Sequence, residues 1–193
     1  MKHWHLGITA AALLATASAA CAHTIDATGA GFAAGALHPL SGFDHLLVML
    51  AVGAWAGQMG GRALWRVPAT FVLVMLIGGT LSLSDIPLAH IEAGIAASLV
   101  ALGLLIATSA RLPLVASMSM VGLFAIFHGH AHGTEIPVAA SPALYALGFV
   151  TATGALHLVG IALGYFARGW NARLMRVGGL AVLAAGTWLL GSI

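Results

Sequence analysis

Apolar residues run along this chain in stretches of about twenty, the length at which an α-helix crosses a bilayer. Six such stretches follow one another, at roughly 42–60, 64–83, 90–109, 112–130, 143–166 and 174–192. Hydrocarbon offers the backbone no hydrogen-bond partner, so each stretch predicts a helix that satisfies its own N–H and C=O groups. The expected fold is all-α: a polytopic membrane protein with six transmembrane helices in a single domain, 23–193. Ahead of the first span, Gly29 to His38 is a run of small residues ended by Pro39. It fits a short re-entrant or interfacial helix, joined to span 1 by a break across Pro39, Leu40, Ser41 and Gly42. Glycines recur through the spans, with Gly160 and Gly164 as a G-x-x-x-G pair, and permit close helix packing. No convincing internal repeat is visible.

The N-terminus carries a different pattern. Met1 to Leu6 with Lys2 precede an apolar run, Gly7 to Ala20, and Ala20-Cys21-Ala22 gives a small-residue cleavage site. Residues 1–22 therefore read as a secretory signal peptide, the alternative being an uncleaved first helix. Cleavage leaves His23 at a mature N-terminus outside the cytoplasm, where amine and imidazole together can chelate a metal; such ends are more often simply frayed. The arginines supply an independent orientation. Arg62, Arg66, Arg111, Arg168, Arg173 and Arg176 all fall in loops 1–2, 3–4 and 5–6. That side is cytoplasmic, which puts the mature N-terminus in the periplasm and the protein in a bacterial inner membrane.

Composition narrows the class. The chain is 61% hydrophobic and 6% charged, too few charges to cover a globule in water, so lipid is its solvent. A formal charge of +2 with no basic run points away from nucleic acid. The single cysteine, Cys21, excludes an internal disulfide and a thiolate cage. Ten histidines among so few polar residues is the unusual count. In lipid each buried polar side chain is costly and needs a reason. Asp26, His38, Asp44, His45, Asp85, His90, Glu92, His128, His130, His132 and Glu135 all map to the outer segments, and only His157 lies deeper. An acidic, imidazole-rich mouth above a basic inner rim draws cations inward.

Two runs carry the candidate chemistry. In His38-Pro39-Leu40-Ser41-Gly42-Phe43-Asp44-His45, the adjacent Asp44 and His45 point about 100° apart on a helix, so they cannot chelate from one face. They can flank a site, one as ligand and one orienting it. The break after Pro39 lets His38 fold back towards them. In Phe127-His128-Gly129-His130-Ala131-His132-Gly133-Thr134-Glu135, a continuing helix puts His128, His132 and Glu135 on one face, suited to a borderline divalent metal. Alternatively, Gly129 and Gly133 bend the backbone so that all three histidines converge. His130 points away on an ideal helix. Glu92 opens span 3 and, just inside lipid, is expected to face the bundle interior. His157 is either a further station on a path or a core histidine donating to a carbonyl. Met49 offers a soft ligand one turn after His45, although packing is its commoner use.

These two runs resemble the signatures of the HupE/UreJ family, small bacterial membrane proteins associated with nickel supply to hydrogenase and urease. The resemblance covers nearly the whole mature chain. It implies permease-like uptake of nickel or cobalt, with cytoplasmic nickel-delivery proteins as partners beside the bilayer and the ion. It carries onto His38, Asp44, His45, His128 and Glu135, while His130 and His132 occupy its variable positions. Ligand chemistry alone does not select nickel, because imidazole and carboxylate also suit Co(2+), Zn(2+) and Cu(2+).

The expected function is metal uptake, not catalysis. Imidazoles must be neutral to bind, so uptake is expected to fall below about pH 6.5, the free histidine value. An intramembrane metalloenzyme is the first alternative, but no helical H-E-x-x-H pair and no Ser or Cys nucleophile motif is present. A metal-binding sensor or accessory subunit that does not transport is the second.

Overall fold

A computed structural model of the chain describes residues 27–137, 140–170 and 172–193. The expected signal segment and His23 lie outside the described residues. The described chain is helical throughout, without strands: α1 (Ala27–Ser41), α2 (Phe43–Met59), α3 (Ala63–Leu83), α4 (Ile91–Thr108), α5 (Leu114–Thr134), α6 (Pro142–Trp170) and α7 (Ala172–Gly191). Five of these, α3 to α7, are each long and apolar enough to cross a membrane. The stretch read as span 1 does not qualify alone. It qualifies only together with α1, as a pair bent by 84°.

The bend sits at Gly42, the last residue of the break that the sequence marks. Gly42 is extended (φ −97°, ψ 117°), and its carbonyl accepts the first α2 bond, from Leu46 N–H at 2.9 Å. Pro39 lies inside α1 and does not end it.

Helix α2 is the centre of the bundle. From Val48 to Gln58 almost every side chain is buried, as expected of a helix apolar on all sides. Around it α3 packs on α5 and α4 on α7, while α1 and then α2 lie along successive parts of the long α6. Small residues set these contacts. A Cβ on Gly35 would meet the Tyr145 carbonyl, and one on Gly53 the His157 carbonyl, so backbone touches backbone at both places. By gripping α1 and α2 in turn, α6 holds the bent pair in shape.

The arginine loops gather at one end. Arg62 and Arg111 line one cavity there, and Arg111 and Arg168 a second. Trp55 Nε1–H donates to the Ala110 carbonyl (2.9 Å), and Gln58 Nε2–H donates to that of Ile106 (3.2 Å). These bonds tie the C-terminal end of α2, opposite its Asp44–His45 end, to the basic rim.

Candidate metal site

At the other end of α2, three helices bring four imidazoles together. His38 comes from the last turn of α1, His45 from the first turn of α2, and His128 and His132 from successive turns of α5. The α5 helix continues through Thr134, four residues past the expected end of its span. It therefore keeps His128 and His132 one turn apart, with Glu135 as its C-cap residue. Ring centroids lie 4.9 Å apart for His38 and His132, 4.2 Å for His132 and His45, and 5.3 Å for His45 and His128. The four rings form an unbroken line.

A carboxylate stands at the outer end of this line. Glu135 Oε2 is 2.8 Å from His38 Nε2 and 3.4 Å from His132 Nδ1. Ligand atoms of His38, His132 and Glu135 all fall within 4.8 Å of one another, close enough to share one ion. Asp44 acts through its neighbour: its Oδ1 accepts from His45 Nδ1–H at 2.8 Å and from the His45 backbone N–H at 2.9 Å.

These bonds fix which ring nitrogen is free. A carbonyl or carboxylate oxygen can only accept, so the nitrogen facing it carries the proton. His45 is held at Nδ1 by Asp44, and His128 at Nδ1 by the Phe124 carbonyl at 2.9 Å. Each neutral ring then presents Nε2 as a lone pair, and both Nε2 atoms are buried without a hydrogen-bond partner. His132 Nε2 is likewise buried without one, while its Nδ1 faces Glu135. Buried polar atoms are nearly always paired, and an unpaired one costs about 1–3 kcal/mol. Here several such atoms lie in one place. A histidine anchored at one nitrogen with the other free is the usual arrangement of a metal ligand.

The family model described as HupE / UreJ protein matches residues 11–189. The chain belongs to the HupE/UreJ family. It is 43% identical over 191 residues to Protein HupE of Rhizobium leguminosarum bv. viciae, covering 98% of this chain and 99% of that one. No solved structure matches it.

Other polar residues of this HupE/UreJ chain lie away from the line. His130 turns to the opposite side of α5, where Nε2–H donates to the Ile86 carbonyl at 2.8 Å and pins the α3–α4 loop. Glu92 is exposed on the first turn of α4, not turned into the bundle, and shares a small cavity with Asp44. His157 is buried on α6 and donates Nδ1–H to the Met49 carbonyl at 2.8 Å. Gly129 and Gly133 do not bend α5. They let it lie against α3, Gly129 against the Met75 carbonyl and Gly133 against Gly79 and Ser82.

Two residues at the site escaped sequence reasoning. Phe149 lies 4.3 Å from His132 and 6.1 Å from His38, and Tyr145 lies 5.7 Å from His38. Both are buried on α6 and wall the outer part of the line. They are apolar or amphipathic residues in an apolar span, so only their partners across the bundle distinguish them.

Glu135 is the acidic group of this cluster that lies beyond the spans. The His132 imidazole beside it, and then the His38 bond, hold its carboxyl at about 2 against the opposing effect of partial burial. A depressed carboxyl keeps its pairing above its ordinary value of 4.5 and loses it only as pH falls towards 2. Glu135 should therefore stay ionised from about pH 8 to about pH 5. A carboxyl-carbon NMR titration of labelled protein checks this; a midpoint near 4.5 overturns it.

Proposed function

We propose that this protein is a permease for a divalent transition metal, nickel first and cobalt next, in the bacterial inner membrane. It supplies hydrogenase or urease maturation, through cytoplasmic proteins that receive the ion. The carrying observation is the line of imidazoles whose anchored rings leave buried Nε2 atoms free. The choice of nickel comes from the resemblance of the two motifs to the family signatures, since the ligands accept several borderline metals.

In this reading a hydrated cation meets Glu135 and His38 first, at the more exposed end. It exchanges waters for imidazole nitrogens at His132, His45 and His128, while Asp44 and Glu135 offset its charge. Binding must stay weak enough for release, which favours a chain of partial sites over one closed cage. Arginines on the cytoplasmic side and a periplasmic N-terminus orient the line outward.

Reconstituting the purified full chain in liposomes and offering Ni(2+), Co(2+), Zn(2+) and Cu(2+) separately tests the proposal. Wild-type liposomes should accumulate nickel, and His128→Ala should reduce the rate at least about tenfold, the loss of one anchored ligand. Equal rates for wild type and His128→Ala would exclude this site. Binding without accumulation by wild type would leave a sensor or accessory role.

A further inference from the structure

The long α6 carries a buried polar pair that the outer cluster does not use. His157 spends its Nδ1–H on the Met49 carbonyl, yet its Nε2 is buried without a partner. Thr153, one turn earlier on the same helix, is fully buried, and its Oγ1 is also unpartnered. A threonine in a lipid-spanning helix ordinarily returns its hydroxyl to a carbonyl one turn back. Thr80, Thr108, Thr151 and Thr187 of this chain do so. Thr153 does not. Two polar atoms without a partner thus lie one turn apart on the buried face of α6, an arrangement that is uncommon in folded proteins.

Their position relates them to the outer cluster. Tyr145, Phe149, Thr153 and His157 follow one another at steps of one turn, and the first two touch the outer imidazoles. At the inner end, the Phe71 ring lies 5.5 Å from both His128 and His157 and meets each edge-on. The anchor of His157 at Met49 is one turn beyond His45 on α2, about 6 Å further along the axis. Neither Thr153 nor His157 has a carboxylate partner among the described residues. One imidazole and one neutral hydroxyl bind a divalent cation more weakly than the outer line, as an onward position requires.

We propose that His157 Nε2 and Thr153 Oγ1 form an inner station for a partly hydrated divalent cation leaving the His45–His128 end of the outer cluster, with Phe71 between the two. The inference rests on the transport reading above.

Nickel flux and nickel binding at equilibrium, measured side by side on the full chain, test it. Thr153→Val keeps the shape and removes only the hydroxyl. It should keep wild-type affinity and melting temperature and slow flux about tenfold. His157→Asn should slow flux at least as much with the same affinity. Wild-type flux in Thr153→Val overturns the station and leaves a trapped water as its occupant. Parallel loss of affinity and flux in that variant also overturns it, because the pair would then be supporting the outer cluster. If wild-type liposomes take up no nickel, the transport reading itself fails; if only these variants behave as wild type while His128→Ala is impaired, the station alone fails.

Discussion

Replacing Asp44 by asparagine is expected to lower nickel affinity about 10- to 100-fold while leaving the helices intact, the range for groups that orient a metal ligand. Asp44 Oδ1 accepts from His45 Nδ1–H at 2.8 Å, which leaves Nε2 as the lone pair facing the other imidazoles. An asparagine still has one oxygen for the His45 backbone N–H, so the start of α2 survives. It loses the charge that makes His45 a better donor to a cation. It can also present its amide N–H to Nδ1, which would move the ring proton to Nε2 and block the ligand atom. Equilibrium dialysis near pH 7.5, beside a melting curve, separates lost affinity from lost fold. Wild-type affinity in Asp44→Asn would remove the orienting role.

The second large effect comes from a residue with no side chain. Gly129→Val should destabilise the protein by on the order of 3 kcal/mol, about 10 °C in melting temperature, and abolish metal binding with it. A Cβ at Gly129 would land on the Met75 carbonyl, and one at Gly78 on the Ile126 carbonyl, so α3 and α5 meet backbone to backbone in both directions. Neither side can yield by rotating a side chain. The helices must separate, and α5 then carries His128 and His132 away from His45 and His38. Gly154→Ala is the matched control, because a Cβ there meets nothing within 4 Å. It should leave stability unchanged or raise it by about 0.5–1 kcal/mol through helix propensity. Equal melting temperatures for Gly129→Val and wild type would show that this contact does not hold the site together.

The order of residues alone made the helices legible, because in hydrocarbon a twenty-residue apolar run has one backbone conformation that satisfies its own polar groups. It also determined that polar chemistry collects at one end and arginines at the other. His128, His132 and Glu135 could be placed near one another from spacing alone, since a continuous α5 fixes their angular relation. Which helices meet depends on packing across the bundle. The 84° bend at Gly42 and the grip of α6 on both α1 and α2 bring His38 and His45 to the α5 histidines, and no local spacing encodes that meeting. The same limit explains what spacing left open. Of the two readings of Gly129 and Gly133 the continuing helix holds, with both glycines as contact points for α3, and Glu92, expected to face inward, is exposed. Tyr145, Phe149 and Thr153 gave no sign at all, because what matters about each is the neighbour across the bundle. Covalent spacing governs what happens along one helix; non-local packing governs what happens between helices, and the candidate metal site lies between them.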